Sequence, residues 1–84
     1  MKEPVFSLGQ AEYIELDKLL KILRWVESGG QAHALIEQGL VLRNGQVETR
    51  KRAKLRPEDR IGMGGRTVRI TKEEDTQTDT LPKI

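Results

Sequence analysis

Apolar residues at Leu16, Leu19, Leu20 and Leu23 recur at the three-and-four spacing of one helical face, and Ile22 and Val26 widen the stripe. Lys18, Lys21 and Arg24 repeat at steps of three on the opposite side. Asp17 falls in the first turn, where a negative charge complements the helix dipole. The pattern predicts an amphipathic helix, apolar side inward and basic side outward. Ser28-Gly29-Gly30 breaks it. Ser28 has the chemistry of an N-cap for a second helix, and Gln31 three positions on completes a capping-box pattern. In that short helix Ala32, Leu35 and Ile36 face inward, and Ala32 and Ala34 are small enough for close helix approach. Gly39 supplies the left-handed position at its end.

Downstream the apolar period changes to two. Leu40-Val41-Leu42-Arg43 reads as a strand, and Asn44-Gly45 is the strongest hairpin signal in the chain, because a two-residue primed turn needs positive φ at both positions. Gln46-Val47-Glu48-Thr49 returns, and the basic loop Arg50 to Lys54 follows, with Leu55 anchoring its far end in the core. Pro57-Glu58-Asp59 is a turn. Arg60-Ile61-Gly62-Met63 and Thr67-Val68-Arg69-Ile70 form a last strand pair, with Ile61 and Met63 on one face and Val68 and Ile70 on one face. Before the first helix, Val5-Phe6-Ser7-Leu8 and Glu12-Tyr13-Ile14-Glu15 read as two short strands on either side of Gly9-Gln10, expected to pair as a hairpin. Residues 1–4 are expected to be frayed, 5–70 to form a single domain, and 71–84 to be a disordered acidic tail.

Composition narrows this further. Eighty-four residues cannot bury a second core. Apolar residues make up 36% and charged residues 33%, so the one core is small and mostly aliphatic. There is no cysteine, hence no disulfide framework and no thiolate metal site, which suits a reducing cytoplasm. The start Met1-Lys2-Glu3-Pro4 lacks a signal-peptide run and no stretch is long enough to span a bilayer, so a soluble cytoplasmic protein is expected.

The net charge of +2 conceals a segregation. From Arg43 to Arg69 nine basic residues face three acidic ones, leaving +6; from Thr71 onward two face four, leaving −2. Arg50, Lys51, Arg52, Lys54 and Arg56 fall within seven positions with no acid among them. Such a cluster gains affinity for a polyanion by releasing its counterions, and arginine's planar fork suits phosphate. Taken alone it is equally the composition of a solvated loop. The acidic tail could compete for the basic face, in which case deleting residues 71 to 84 tightens binding.

Candidate catalytic chemistry is thin. His33 is the one histidine, with no carboxylate at an obvious spacing, and a lone imidazole builds no metal site. Asp17 reads as a helix-start carboxylate paired with a nearby basic side chain. No nucleophile–base arrangement and no complete nucleotide-cradling motif is present. Trp25 is the largest apolar group and is expected to pack against the second helix or the first hairpin rather than stack on a base. With Phe6 and Tyr13 the only other rings, a polyanion is expected to be met through charge and shape rather than through an aromatic platform.

The order of residues resembles a known family. Leu16-Asp17-Lys18 opening a helix, Ser28 and Ala32, Leu35-Ile36, Gly39 to Gly45, and Leu55 to Asp59 before Ile61 are similar to the S-four RNA-binding domain, whose core is the alpha-L motif. The resemblance covers roughly residues 12 to 70. Val26 to Ala32 and Glu48 to Arg52 are most similar to small stand-alone bacterial members. It implies an α+β fold in which two packed helices lie on a small, mostly antiparallel sheet and hold structured RNA. Carried over by position, Lys18, Lys21, the Ser28 to Gln31 turn and Arg43 line the implied RNA face. Many members have arginine where this chain has Glu15 and Gly29, which moves the expected contacts toward the Arg50 to Arg56 loop.

The sequence therefore predicts a monomeric, non-catalytic binder of ribosomal or transfer RNA that acts in ribosome assembly or RNA handling without metal or cofactor. Its contact residues are Lys18, Lys21, Arg24, Ser28, Gln31, Arg43, Arg50, Lys51, Arg52, Lys54 and Arg56. The rivals are a protein-interaction module or adaptor using the surface around Trp25, an enzyme subunit completing a site with Asp17 or His33, and a DNA binder.

Overall fold

A computed structural model describes residues 4–72. In chain order the elements are β1 (Val5–Ser7), β2 (Ile14–Glu15), α1 (Leu16–Ile22), α2 (Gly29–Glu37), β3 (Val41–Arg43), β4 (Gln46–Val47), β5 (Lys54–Leu55), β6 (Arg60–Met63) and β7 (Arg66–Thr71). Five strands form one sheet in the order β1-β7-β6-β3-β4, while β2 and β5 make a separate two-stranded ribbon. Every pairing is antiparallel except β1 with β7. The α+β architecture is the one expected, with two helices on a mostly antiparallel sheet. Among the described residues no helix is long and apolar enough to cross a membrane.

Alternation explains the core. Ile61 stands opposite Val68 on β6 and β7, and both are buried with Val41, Ile70 and Leu55 under Leu16, Leu19, Leu20, Ala32 and Ile36 of the helices. On the other side of the sheet Leu42, Gly62 and Thr67 stand in register. The Asn44-Gly45 turn has the expected geometry, with φ of 54° and 86°, and joins β3 to β4. Ala34, expected at the helix contact, is exposed; Ala32 alone occupies it.

Two expectations are corrected. β1 and β2 do not form a hairpin. β1 instead lies parallel to β7, Val5 beside Arg69 and Ser7 beside Thr71, while Ile14 of β2 stands opposite Leu55 of β5. A hairpin of two such short strands would bury little. Apart, β1 extends the edge of the five-stranded sheet, β2 makes the ribbon with β5, and Leu8 is buried in the core. Residue 71 likewise belongs to the sheet: the Thr71 carbonyl accepts from the Leu8 amide at 2.9 Å, and the Pro4 carbonyl accepts from Arg69 at 3.0 Å. The expected tail from 73 onward and the expected frayed residues 1–3 lie outside the described residues.

The first helix is also shorter than its apolar stripe. α1 ends at Ile22, and Arg24 adopts the left-handed conformation with φ 62°. The Arg24 amide donates to the Lys21 carbonyl and the Trp25 amide to the Leu20 carbonyl, at 3.0 and 3.1 Å, which satisfies two carbonyls of the last turn. Arg24 therefore does not continue the row of Lys18 and Lys21. Val26 is buried from the loop, not from the helix, and Ile22 is exposed. α2 closes in the same way around Gly39, whose φ is 79°. At its start Ser28 Oγ accepts from the Gln31 amide at 3.0 Å, and Gln31 Oε1 accepts from the Glu27 amide at 2.7 Å.

Candidate nucleic-acid interface

The ribbon of β2 and β5 brings the basic segment to the start of α1. The Leu16 amide donates to the Ala53 carbonyl at 2.9 Å, and the Asp17 amide to the Lys51 carbonyl at 3.1 Å. Asp17 is the junction of this contact. Its Oδ1 accepts from the Lys18 amide at 2.8 Å, its Oδ2 shares a hydrogen bond with His33 Nε2 at 2.9 Å, and Arg52 Nε lies 3.9 Å away. The lone histidine thus has a carboxylate partner after all, sixteen positions away and reached only because the helices pack. Burial opposes the Asp17 charge, yet hydrogen bonds from His33 and the Lys18 amide, with the charges of His33 and Arg52, hold its carboxyl below the usual value. Among the described residues no group of three His, Cys, Asp or Glu could hold a metal ion.

Ile14 and Leu55 turn inward, so Tyr13, Glu15, Lys54 and Arg56 share the opposite face of the ribbon. Lys54 Nζ lies 5.0 Å and Arg56 Cζ 5.5 Å from the centre of the Tyr13 ring. Lys18 Nζ reaches Glu15 at 3.6 Å, which continues the row onto α1.

Beside this ribbon two arginines converge on one acid. Glu48 is buried; Arg50 donates to it from Nε at 3.0 Å, from Nη2 at 3.2 Å and from its backbone amide at 3.0 Å. Arg43 Nη1 approaches the same carboxylate at 3.4 Å, and Arg43 Nη2 donates to Asp59 Oδ2 and to the Lys54 carbonyl, both at 2.9 Å. The Arg50 hydrogen bonds outweigh burial and draw Glu48 down to about 2. Asp59 accepts as well from the Arg56 amide and from Asn44 Nδ2, each at 2.9 Å. Burial works against its charge, and the donors from Arg56, Arg43 and Asn44 lower its carboxyl below the usual range.

The expected contact residues thus fall into three groups. Arg43, Arg50, Arg52 and Lys54 line one shallow depression of about 540 Å³, with Lys51 and Arg56 flanking it in sequence, while Lys18 on α1 pairs with Glu15, which stands opposite Lys54. Lys51 also pairs with Glu37 at 2.9 Å. Lys21 and Arg24 line a second concavity with Glu27 beyond the end of α1, and Lys21 Nζ lies beside Gly29. Ser28 and Gln31 are engaged in capping α2. Acids do lie between Lys18 and the basic segment, but their exposure differs from that of the cations. The side chains of Asp17, Glu48 and Asp59 are 11%, 9% and 15% exposed, against 73% for Arg52 and 74% for Arg50; Arg43 is half-buried, and Glu15 and Glu37 keep part of their carboxylates in solvent beside Lys18 and Lys51. At the depression itself a solute meets Arg50 and Arg52 first.

Sequence reasoning missed Tyr13, Glu48 and Asp59 as members of this site. Tyr13 becomes visible only once β2 is paired with β5, which puts it beside Arg56. The two acids carry no local signal at all.

Comparison with known proteins places the fold in a family. The family model for the S4 domain matches residues 6–71. YbcJ of Escherichia coli (strain K12) is 43% identical over 65 residues, spanning 77% of this chain and 93% of that protein. YbcJ of Shigella flexneri matches to the same extent. The solution structure of E. coli YbcJ superposes with a TM-score of 0.65 at 39% identity, covering 84% of this chain and 90% of that one. On the evidence of the fold, the basic ribbon and these matches, the chain belongs to the S4 domain family.

Proposed function

We propose that this protein binds folded RNA through phosphates and helix shape. The depression lined by Arg43, Arg50, Arg52 and Lys54 receives the backbone, with Lys18 and Arg56 beside it. The observation that carries this reading is the contrast of exposure at the depression: Arg50 and Arg52 stand in solvent, while Asp17, Glu48 and Asp59 are largely buried. The hydrogen bonds to Glu48 and Asp59 fix the Arg43 and Arg50 side chains in advance, so less freedom is lost there when a phosphate arrives. The solution structure of E. coli YbcJ was reported to reveal an alpha-L motif involved in RNA binding, which supports the same role here. The reading is of a binder, not an enzyme, in keeping with the S4 domain family, and the Asp17–His33 hydrogen bond serves the contact between the two helices.

The finer reading is that the ligand is ribosomal or transfer RNA, held by a cytoplasmic monomer during ribosome assembly or RNA handling. A role as a protein-interaction module would use the surface around Trp25, but that ring is partly buried against the core. Filter binding of the full chain to a hairpin RNA across a salt series tests the main claim. If about four phosphates are neutralised, a log–log slope of about −3 to −4 is expected, and hairpin DNA of the same sequence should compete poorly because its groove shape differs and it lacks 2′-hydroxyls. Affinity that is flat with salt would sink the reading, and equal competition by DNA would make this a general nucleic-acid binder.

A further inference from the structure

Tyr13 carries its ring on the outer face of the ribbon, outside the buried core. Ile14 beside it faces the core and Leu55 opposite is fully buried, while Tyr13 remains 36% exposed on the outer face of the ribbon. Its ring neighbours are two cations, Lys54 at 5.0 Å and Arg56 at 5.5 Å. At an exposed site each such contact contributes only about 0.5–1 kcal/mol, so either side chain can leave the ring at small cost. The ring also borders the depression through Lys54, which belongs to both.

We propose that Tyr13 is a stacking site for a single unpaired nucleotide, a bulge or looped-out base in the folded RNA. Resting on the proposed RNA-binding role, this deepens it by naming a structural feature of the ligand. A base laid on the ring displaces the cation over it, and Lys54 and Arg56 are then free to meet the phosphates on either side of that nucleotide. Stacking on one aromatic ring tolerates any base, so the site selects for an unstacked nucleotide and not for its identity. A fully paired stem offers no free base, and the same face then holds only its phosphates.

The test compares the full chain, Tyr13→Phe and Tyr13→Ala on two hairpin RNAs that differ by one bulged nucleotide. Stacking lost by truncation to alanine corresponds to roughly a tenfold or greater loss of affinity. Wild type should prefer the bulged hairpin, Tyr13→Phe should keep that preference, and Tyr13→Ala should lose it by giving up markedly more affinity for the bulged hairpin than for the paired one. Equal losses on both RNAs would overturn the proposal, because a displaced ribbon or lost phosphate contacts would act that way. An unchanged preference in Tyr13→Ala would overturn it too. If wild type binds neither hairpin, the RNA-binding role itself fails and the stacking site falls with it, an outcome distinct from the other two.

Discussion

Replacing Arg52, Lys54 and Arg56 together by alanine is expected to lower affinity for a folded RNA by roughly 500-fold at about 0.1 M salt, and to reduce the log–log salt slope by about 3, if each meets one phosphate. These three are chosen because the fold does not depend on their heads. Arg52 Nε is 3.9 Å from Asp17 and the side chain is 73% exposed, a weak surface pair. Lys54 and Arg56 contact only the Tyr13 ring through their charges, and their backbone bonds to Arg43 and Asp59 survive truncation. Thermal melts should therefore be close to those of wild type. Equilibrium binding of the triple variant at several salt concentrations checks the expectation. A loss of affinity with the slope unchanged would mean that the three residues act through shape, not through phosphate contact.

Glu48→Gln is expected to cost on the order of 2 kcal/mol at neutral pH, a large fraction of what so small a core can supply. The side chain is buried, and it ties Arg50 and Arg43 to the irregular segment that follows the β3–β4 hairpin. Its carboxyl is drawn from 4.5 to about 2, so the folded state is stabilised above pH 4.5 and loses that stabilisation as pH falls toward 2. The full value of such a shift is discounted because the Arg50 guanidinium stands 74% exposed and is screened by solvent. Asp17 and Asp59 are lowered as well and act in the same direction. Urea unfolding at pH 7 and pH 3 should show wild type losing about 1 kcal/mol more than Glu48→Gln over that interval, the rest going below pH 3. Identical pH dependence in the two proteins would show that Glu48 is not the group responsible.

How much of this was legible in the sequence depended on how local the deciding rule was. The Ser28 cap, the Gly39 stop and the Asn44-Gly45 turn follow from residues a few positions apart, and each stands where the pattern puts it. The end of α1 did not, because its left-handed residue is Arg24, which carries no glycine signal, and the apolar spacing runs on to Val26 regardless. β1 finds its partner more than sixty positions away in β7, so nothing near Val5 could reveal a parallel pairing. The site divides in the same way. The run Arg50 to Arg56 is visible as a run, but its partners are not: His33 meets Asp17 across two helices, and Tyr13 meets Arg56 across the ribbon. Arg43 shows the reverse, a cation conspicuous in sequence whose guanidinium is largely committed to Glu48, Asp59 and the Lys54 carbonyl.

The central claim is that RNA lies across the ribbon and the segment from Arg50 to Arg56. Backbone amide NMR spectra recorded while a hairpin RNA is titrated into the protein test it most directly. Shifts concentrated at Tyr13, Lys18 and residues 50–56 are expected, with the outer sheet row of Leu42, Gly62 and Thr67 unmoved. The opposite distribution, with that sheet row perturbed and the ribbon silent, would contradict it.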